Sequence, residues 1–164
     1  MAGSASPEMR HYWLDRILEL EPGARAVGIK GVALADDAFT EHFPGNPVLP
    51  GIYVLEGLAQ TAGVLLDRTT DGRRIAVMAS IERARFVGFA RPGDQVRLAI
   101  EVESLQEDAA RVMGSATADG RAVASARFTF TLVEPERLIP AVYHPFWRQA
   151  MAVWRGEYLC VKND

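Results

Sequence analysis

The segment GIYVLEGLAQTAGVLLDR, residues 51–68, decides the fold. It follows the run HFPGNPVLP at residues 42–50, whose prolines exclude a regular helix there and permit one to begin after Pro50. Within the segment, apolar residues occupy nearly every helical face, a pattern typical of a helix with no side left for water. We therefore expect a long, buried central helix.

The second half of the chain alternates apolar and polar residues with a period of two, which is typical of strands with one wet face. The strands predicted in this half are residues 75–86, 96–103, 111–118 and 122–132. Asp119-Gly120 predicts a hairpin turn, and residues 14–20 and 26–34 predict an earlier hairpin around Pro22-Gly23. Together, the predicted helix, strands and hairpins indicate an α+β fold in which a largely antiparallel sheet wraps around one long helix.

Composition limits the possible classes of function. The chain has 164 residues, is 49% hydrophobic and 24% charged, and has a formal net charge of -3, which suits one domain and argues against a nucleic-acid partner. A single cysteine, Cys160, cannot form an internal disulfide, so we expect a reducing compartment, the cytoplasm. No apolar run is long enough for a membrane span, and the scattered histidines show no spacing of metal ligands.

We divide the chain into a flexible N-terminal arm at residues 1–10, a single domain at residues 11–134 and a C-terminal extension at residues 135–164. The extension carries large apolar residues at helical spacing, namely Trp147, Met151, Trp154 and Tyr158. This spacing predicts a short amphipathic helix that packs on the domain. A lid or a surface that docks a partner is the alternative interpretation.

Four residues around the start of the predicted helix carry the candidate chemistry. A carboxyl such as Glu56 in an apolar helix must be neutral, paired or used, and Gln60 lies one turn later within reach of it. His42 can remove a proton near neutral pH, and the Gly51 amide at the helix start can stabilise a developing negative charge. Such groups suit removal of a proton beside a carbonyl with loss of a β-hydroxyl as water. A loop histidine bonded to backbone and a carboxyl paired with an arginine are the structural alternatives.

The run HFPGNPVLPG at residues 42–51, followed by LEGLAQ at residues 55–60, closely resembles the signature of 3-hydroxyacyl-[acyl-carrier-protein] dehydratases. The similarity extends from about residue 15 to about residue 133. It implies a hot-dog fold, an antiparallel β-sheet wrapped around a long central helix. It also implies dehydration of a 3-hydroxyacyl thioester to the trans-2-enoyl thioester, in fatty-acid or polyketide synthesis.

The resemblance implies a role for each of the four residues. His42 would be the base that takes the α-proton, Glu56 the acid that protonates the leaving hydroxyl, Gly51 the amide donor to the thioester carbonyl, and Gln60 the residue that orients Glu56. His42 and Glu56 of one site would come from different protomers of a dimer. The substrate would arrive on the phosphopantetheine of an acyl carrier protein, and no metal or redox cofactor is implied.

The sequence also departs from the family pattern. Val87 and Gly88 stand where family members usually have two basic residues, and Gly57 replaces the usual alanine, a change that would make room for a substrate. With the C-terminal extension, these departures favour a polyketide or polyene pathway. An acidic carrier would have a candidate basic patch in Arg73, Arg74, Arg83, Arg85 and Arg91, and scattered surface arginines are the alternative interpretation.

Other assignments stay open from the sequence. Homodimers, higher homo-oligomers and a hetero-oligomer with a related subunit are all compatible with the resemblance. The alternative functions are a hot-dog thioesterase and a non-catalytic acyl-binding or scaffold subunit of a dehydratase hetero-oligomer. His11 and His144 have no acidic or cysteine neighbour at useful spacing, and nothing in the sequence around Cys160 would lower the pKa of its thiol, so we assign these three residues no chemical role.

Overall fold

The computed structural model describes residues 12–39 and 42–156. The predicted arm at residues 1–10 lies outside the described residues, as do His11, Tyr158 and Cys160. The elements in chain order are β1 (Arg16–Glu21), β2 (Arg25–Gly31), a 3-10 turn (Asp37–Phe39), α1 (Gly51–Thr69), β3 (Ile75–Phe86), β4 (Gln95–Leu105), β5 (Ala109–Ala118), β6 (Arg121–Val133), α2 (Pro135–Leu138), a second 3-10 turn (Ala141–Tyr143) and α3 (His144–Trp154).

The six strands form one sheet in the order β1-β2-β4-β5-β6-β3, and every neighbouring pair is antiparallel. Their apolar sides close on α1, which contacts every strand, and the buried Leu58 and Phe128 side chains lie in this core. The predicted antiparallel sheet around a long helix is confirmed. The turn at Asp119-Gly120 has φ values of 48° and 79°, which fits the hairpin turn predicted from this dipeptide.

The prediction that α1 is buried on every face is wrong for this chain. Ile52 is 61% exposed, and Glu56 one turn later is also exposed. A single sheet covers only the faces of the helix that are turned towards it, so the stripe that begins with Ile52 and Glu56 stays open. An apolar side chain in this stripe, such as that of Ile52, is not covered by the sheet of its own chain.

The strand β3 lies at one edge of the sheet and is unusually exposed for its length. Nine of its 12 residues are exposed, and the apolar side chains of Met78, Ile81 and Phe86 are among them. Among the described strands only β6 pairs with β3, so the other edge of β3 offers backbone groups that can pair with another chain. The apolar residues Val87 and Phe89, just after the strand, extend this exposed area.

The C-terminal helix α3 packs on the domain through its last turns. Ala150, Met151 and Trp154 are buried, and the last two belong to the same apolar core as α1. At the end of this helix, Nη1 of Arg155 lies 3.5 Å from Oδ2 of Asp67, near the end of α1. Burial raises the pKa of the Asp67 carboxyl, against the opposing effect of the Arg155 and Arg68 charges.

Candidate active site

The loop that carries His42 is held by hydrogen bonds within its own residues. The Val48 amide donates to the carbonyl oxygen of His42 at 3.0 Å, and the Asn46 amide donates to the Phe43 carbonyl at 2.9 Å. The imidazole is half-buried and stacks on the Phe43 ring, with 4.2 Å between the ring centroids. Local backbone bonding and three prolines therefore fix the place of the predicted base.

A second turn, residues 91–94, braces this loop from outside. The Arg91 guanidinium donates to Oδ1 of Asn46 at 2.7 Å and to the Pro47 carbonyl at 3.3 Å. The Asp94 carboxylate accepts hydrogen bonds from the Arg91 amide at 2.9 Å and from Arg121 at 3.2 Å. The bond from the Arg91 amide is the main cause that lowers the pKa of Asp94.

A cavity of about 380 Å³ lies at the start of α1, and His42, Gly51 and Phe89 are among its lining residues. Gly51 is the first residue of the helix, so its amide has no acceptor within the helix and the positive end of the helix dipole lies there. A Cβ at position 51 would lie 2.6 Å from the Phe86 ring, which is why this close packing requires glycine. The predicted base and the predicted oxyanion donor thus share one cavity.

Glu56 lies in the exposed stripe and lines a smaller cavity of about 250 Å³ together with Trp13, Ile52, Tyr53 and Leu55. Gln60 lies one turn later on the same face and donates from Nε2 to Oε1 of Glu56 at 2.9 Å. The expected burial of Glu56 is wrong for a single chain, because the sheet leaves this face of α1 uncovered. Among the described residues, the Glu56 carboxylate accepts a hydrogen bond from the Gln60 side-chain amide and forms no ion pair with an arginine.

The amide of Gln60 is itself oriented by Trp13. The Trp13 backbone N–H donates to Oε1 of Gln60 at 2.9 Å, and a backbone N–H has no other role than donor. Oε1 of Gln60 must therefore face Trp13, which leaves Nε2 to donate to Glu56. The Trp13 ring stacks on Tyr53 with 4.0 Å between centroids and an angle of 12° between planes.

The close approach of Trp13 explains why residue 57 is glycine. A Cβ at Gly57 would lie 2.6 Å from the Trp13 carbonyl oxygen and 3.0 Å from Leu98. The expectation that Gly57 makes room for a substrate is wrong, since the backbone of Trp13 fills that space. Sequence reasoning missed Trp13 altogether, because it lies 47 residues from Gln60 and no local pattern links the two.

The structure joins the four predicted site residues in pairs. Gly51 shares a cavity with His42, and Gln60 bonds to Glu56, but the base and the acid line different cavities of one chain. The two cavities are neighbours, since Ile52 and Leu55 line both. A single chain therefore presents two half-sites side by side rather than one closed pocket.

The predicted patch of five arginines is smaller than expected. Arg91 braces the His42 loop, Arg73 lies 4.0 Å from Asp71, and Arg74 lies between Glu107 and Glu134 at 3.7 and 3.6 Å. Among the described residues no carboxylate lies within ion-pair distance of the remaining two, Arg83 and Arg85. Their register with Arg127 and Ser125 puts both on the outer face of the sheet.

The remaining histidine, the possible metal ligands and the helices of the described residues give no second candidate site. Nε2 of His144 lies 2.9 Å from the carbonyl oxygen of Ile139, a contact within the C-terminal extension. Across residues 12–39 and 42–156, no three His, Cys, Asp or Glu side chains lie together in a way that would hold a metal ion. No helix in the same ranges is long and apolar enough to cross a membrane.

Comparison with known proteins gives consistent results. A family model described as a FabA-like domain matches residues 6–127. The 3-hydroxyacyl-[acyl-carrier-protein] dehydratase FabZ of Thermomicrobium roseum is 41% identical over 124 residues, which are 75% of this chain and 83% of that protein. The enzyme of the same name from Bacillus pumilus is 42% identical over 120 residues, 73% of this chain and 83% of the relative.

Solved structures share the fold at lower identity. The dehydratase heterocomplex ApeI:P from Xenorhabdus doucetiae has a chain with a TM-score of 0.66 and 14% identity, matching 82% of this chain and 91% of that one. Smu.793 from Streptococcus mutans, bound to acetyl CoA, has a TM-score of 0.60 and 17% identity, over 73% of this chain and 88% of the other. At these identities the likeness concerns the fold alone, and it confirms the predicted hot-dog architecture.

Proposed function

The chain belongs to the 3-hydroxyacyl-[acyl-carrier-protein] dehydratase family, and from this premise we propose that it removes water from a 3-hydroxyacyl thioester carried on an acyl carrier protein. The product is the trans-2-enoyl thioester. One observation carries the proposal: His42 and Gly51 line one cavity at the start of α1, and the hydrogen-bonded pair of Glu56 and Gln60 adjoins a neighbouring cavity on the same helix.

The proposed reaction needs proton transfers alone. His42 takes the proton from C2 of the substrate, and the electron pair released there becomes the second bond between C2 and C3. The C3–O bond breaks, and Glu56 gives its proton to the leaving hydroxyl, which departs as water. The Gly51 amide and the helix dipole stabilise the negative charge that develops on the thioester carbonyl. Proton exchange then restores neutral His42 and protonated Glu56, so no metal or redox cofactor takes part.

A second copy of the chain completes the site in this proposal. The supporting features are the uncovered stripe of α1 with Ile52 and Glu56, and the exposed edge strand β3. Pairing of β3 with the same strand of a partner would bury these apolar side chains and remove water from around Glu56. His42 of one protomer would then face Glu56 of the other, and the closed pocket would exclude bulk water.

The carrier protein would approach the outer face of β3. Acyl carrier proteins are acidic in the family that this chain resembles, and Arg83 and Arg85 are positive charges that the described residues do not neutralise. Such exposed charges steer an acidic partner towards the site more than they hold it. The substrate arm would enter beside the exposed residues Val87 and Phe89, close to the cavity of His42.

The pathway that this reaction serves is either fatty-acid synthesis or a polyketide or polyene pathway. The apolar Val87 and Gly88 in place of two basic residues, together with the chain beyond residue 127, favour the second. A panel of carrier-bound substrates that differ in chain length and unsaturation separates the two. The cytoplasmic location expected from the lone cysteine stays a prediction.

The test is mass spectrometry of carrier-bound 3-hydroxyacyl substrates after incubation with the protein. We expect loss of one water from the acyl group, with His42→Ala and Glu56→Gln each lowering kcat by about a hundredfold or more. Glu136→Gln is the matched control, since this exposed carboxyl lies in α2, outside both half-sites, and the variant should keep the native rate.

Three results would contradict the proposal. A native rate in either His42→Ala or Glu56→Gln, with folding verified by thermal denaturation, would remove the assigned acid–base pair. Release of free carrier thiol without an enoyl product would favour the thioesterase alternative, and binding of acyl carrier without turnover would favour the scaffold alternative.

A further inference from the structure

The helix α3 lies beyond the region matched by the family model, which ends at residue 127, yet it contacts the N-terminal segment that reaches the acid half-site. Trp154 is 5% exposed and meets the Tyr12 ring edge to face, with 5.4 Å between centroids and an angle of 84° between planes. The ion pair between Arg155 and Asp67 ties the same end of α3 to α1. The place of Tyr12 is therefore set in part by the C-terminal extension.

The next residue, Trp13, is held against α1 by three separate contacts. Its ring stacks on Tyr53, its carbonyl oxygen lies over Gly57, and its amide donates to Gln60. Tyr53, Gly57 and Gln60 lie along one side of α1, next to Glu56. A shift of the Trp13 backbone would consequently alter the hydrogen bond that fixes the orientation of Gln60.

We propose that α3 is a positioning element for the acid of the reaction, so that Trp154 holds Tyr12, the Trp13 amide holds Gln60, and Gln60 holds Glu56. This inference rests on the proposed function. Because Nε2 of Gln60 donates to Oε1 of Glu56, that oxygen is an acceptor and Oε2 is left to face the substrate. In this inference Trp154, Tyr12 and Gln60 are positioning residues that act through Glu56.

The size of the effect follows from the contacts involved. Loss of the ordered hydrogen bond from Gln60 should lower kcat by about tenfold, the rate equivalent of one hydrogen bond. Loss of the Tyr12 ring should lower kcat by about threefold to tenfold, since the free energy of an edge-to-face aromatic pair is similar to or smaller than that of a hydrogen bond. KM should stay at its native value in both cases, because neither Tyr12 nor Gln60 lines the cavity of His42 and Gly51.

A pair of glycine substitutions in α1 tests the step at Trp13. Gly57→Ala places a Cβ 2.6 Å from the Trp13 carbonyl, whereas Gly63→Ala meets no atom within 4 Å of its Cβ. Both changes add the same helix propensity. We expect kcat to fall by about tenfold in Gly57→Ala and to stay native in Gly63→Ala. Equal rates in the two variants would overturn the role of Trp13.

A double-mutant cycle tests the step from α3. Tyr12→Ala removes the contact with Trp154, while Tyr12→Phe keeps the ring and should keep the native kcat. In a Gln60→Leu background, Tyr12→Ala should cause no further loss of kcat, because the contact acts only through Gln60. A native kcat in Tyr12→Ala, or an undiminished further loss in the Gln60→Leu background, would overturn the proposal.

A measurement without substrate separates this inference from the proposed function. The side-chain amide resonances of Gln60 in 15N-labelled protein should move in Gly57→Ala and in Tyr12→Ala, and stay in place in Gly63→Ala and Tyr12→Phe. Unmoved resonances would refute the positioning role even in a protein that proved inactive. Absence of dehydration by the unaltered chain, with the resonances moving as expected, would refute the proposed function instead.

Discussion

The base half-site and the acid half-site are held in different ways. His42 sits in a loop that bonds to itself and is braced by Arg91, and its cavity includes Gly51 from the next element of the chain. Glu56 sits on an exposed helical face, and its orientation depends on Gln60 and on Trp13 from the start of the domain. The His42 loop is thus held mainly by bonds within its own residues, whereas the orientation of Glu56 depends on a hydrogen bond between residues 47 positions apart.

The two half-sites also differ in how complete each is within one chain. The residues that line the cavity of the base half all come from the ranges 42–55 and 86–123 of one chain. The acid half leaves Ile52 and Glu56 open to water, so it needs a cover that residues 12–39 and 42–156 do not supply. In our account a second copy provides the cover, and the same copy provides the missing base.

The largest predicted effect comes from blocking this cover. Ile81→Lys puts a charge on β3, where pairing with a partner would bury it, and an unpaired buried charge costs several kcal/mol. We expect self-association to weaken by about a hundredfold or more and dehydration to fall with it. Analytical ultracentrifugation and initial rates at several protein concentrations measure the two effects.

Leu34→Lys is the matched control for this change, since Leu34 is an exposed apolar residue in the turn after β2, away from β3. It should leave both association and rate at native values. Full activity of a monomeric Ile81→Lys protein would show that one chain suffices and would remove the difference between the two half-sites.

A smaller effect is expected from loosening the base half. Arg91→Ala removes the bonds to Asn46 and Pro47, so the His42 loop loses its outer brace. We expect kcat to fall by about tenfold, with a smaller change in thermal stability. Steady-state kinetics beside Arg73→Ala, an exposed arginine outside the loop, measure the effect, and equal rates in the two variants would count against the brace.

The smallest effect concerns Asp94, which fixes the turn that holds Arg91. Its pKa in the folded protein is lowered, chiefly by the Arg91 amide, so the folded state binds this proton less readily than the unfolded state, whose carboxyl has a pKa of about 3.9. The charged carboxylate therefore stabilises the fold above about pH 4, and this contribution is lost as the pH falls through the folded-state pKa.

Asp94→Asn should accordingly be less stable than the native protein at pH 7, by at most about 1 kcal/mol because solvent screens the group. The difference should shrink as the pH falls below about 4. Urea denaturation across this range measures it, with the exposed Asp71→Asn as the control. A difference that stays constant with pH would show that the charge of Asp94 is not the cause.

The elements that local rules govern could be predicted from the sequence. The bounds of β3, the start of α1 after Pro50 and the turn at Asp119-Gly120 follow from periodicity, proline geometry and turn chemistry. The pairing of Glu56 with Gln60 has the same origin, since one helical turn separates them.

The exposure of Glu56 and the part played by Trp13 could not be predicted. An apolar pattern around a helix does not tell a face that packs on its own sheet from one that awaits another chain, so Ile52 looked like a core residue. The contact of Trp13 with Gly57 joins residues that only the folded sheet brings together. For the same reason, the sequence does not reveal that the Trp13 backbone fills the space beside Gly57, and the expectation of room for a substrate there is wrong.

The most direct test of the two-chain site mixes two inactive variants. His42→Ala and Glu56→Gln proteins are refolded together, and dehydration is measured on the mixture after mixed dimers have been verified. If each site takes its base and its acid from different protomers, a mixed dimer keeps one intact site, and random pairing should restore about a quarter of the native rate. No recovery in proven mixed dimers would contradict the account, because it would mean that both groups act within one chain.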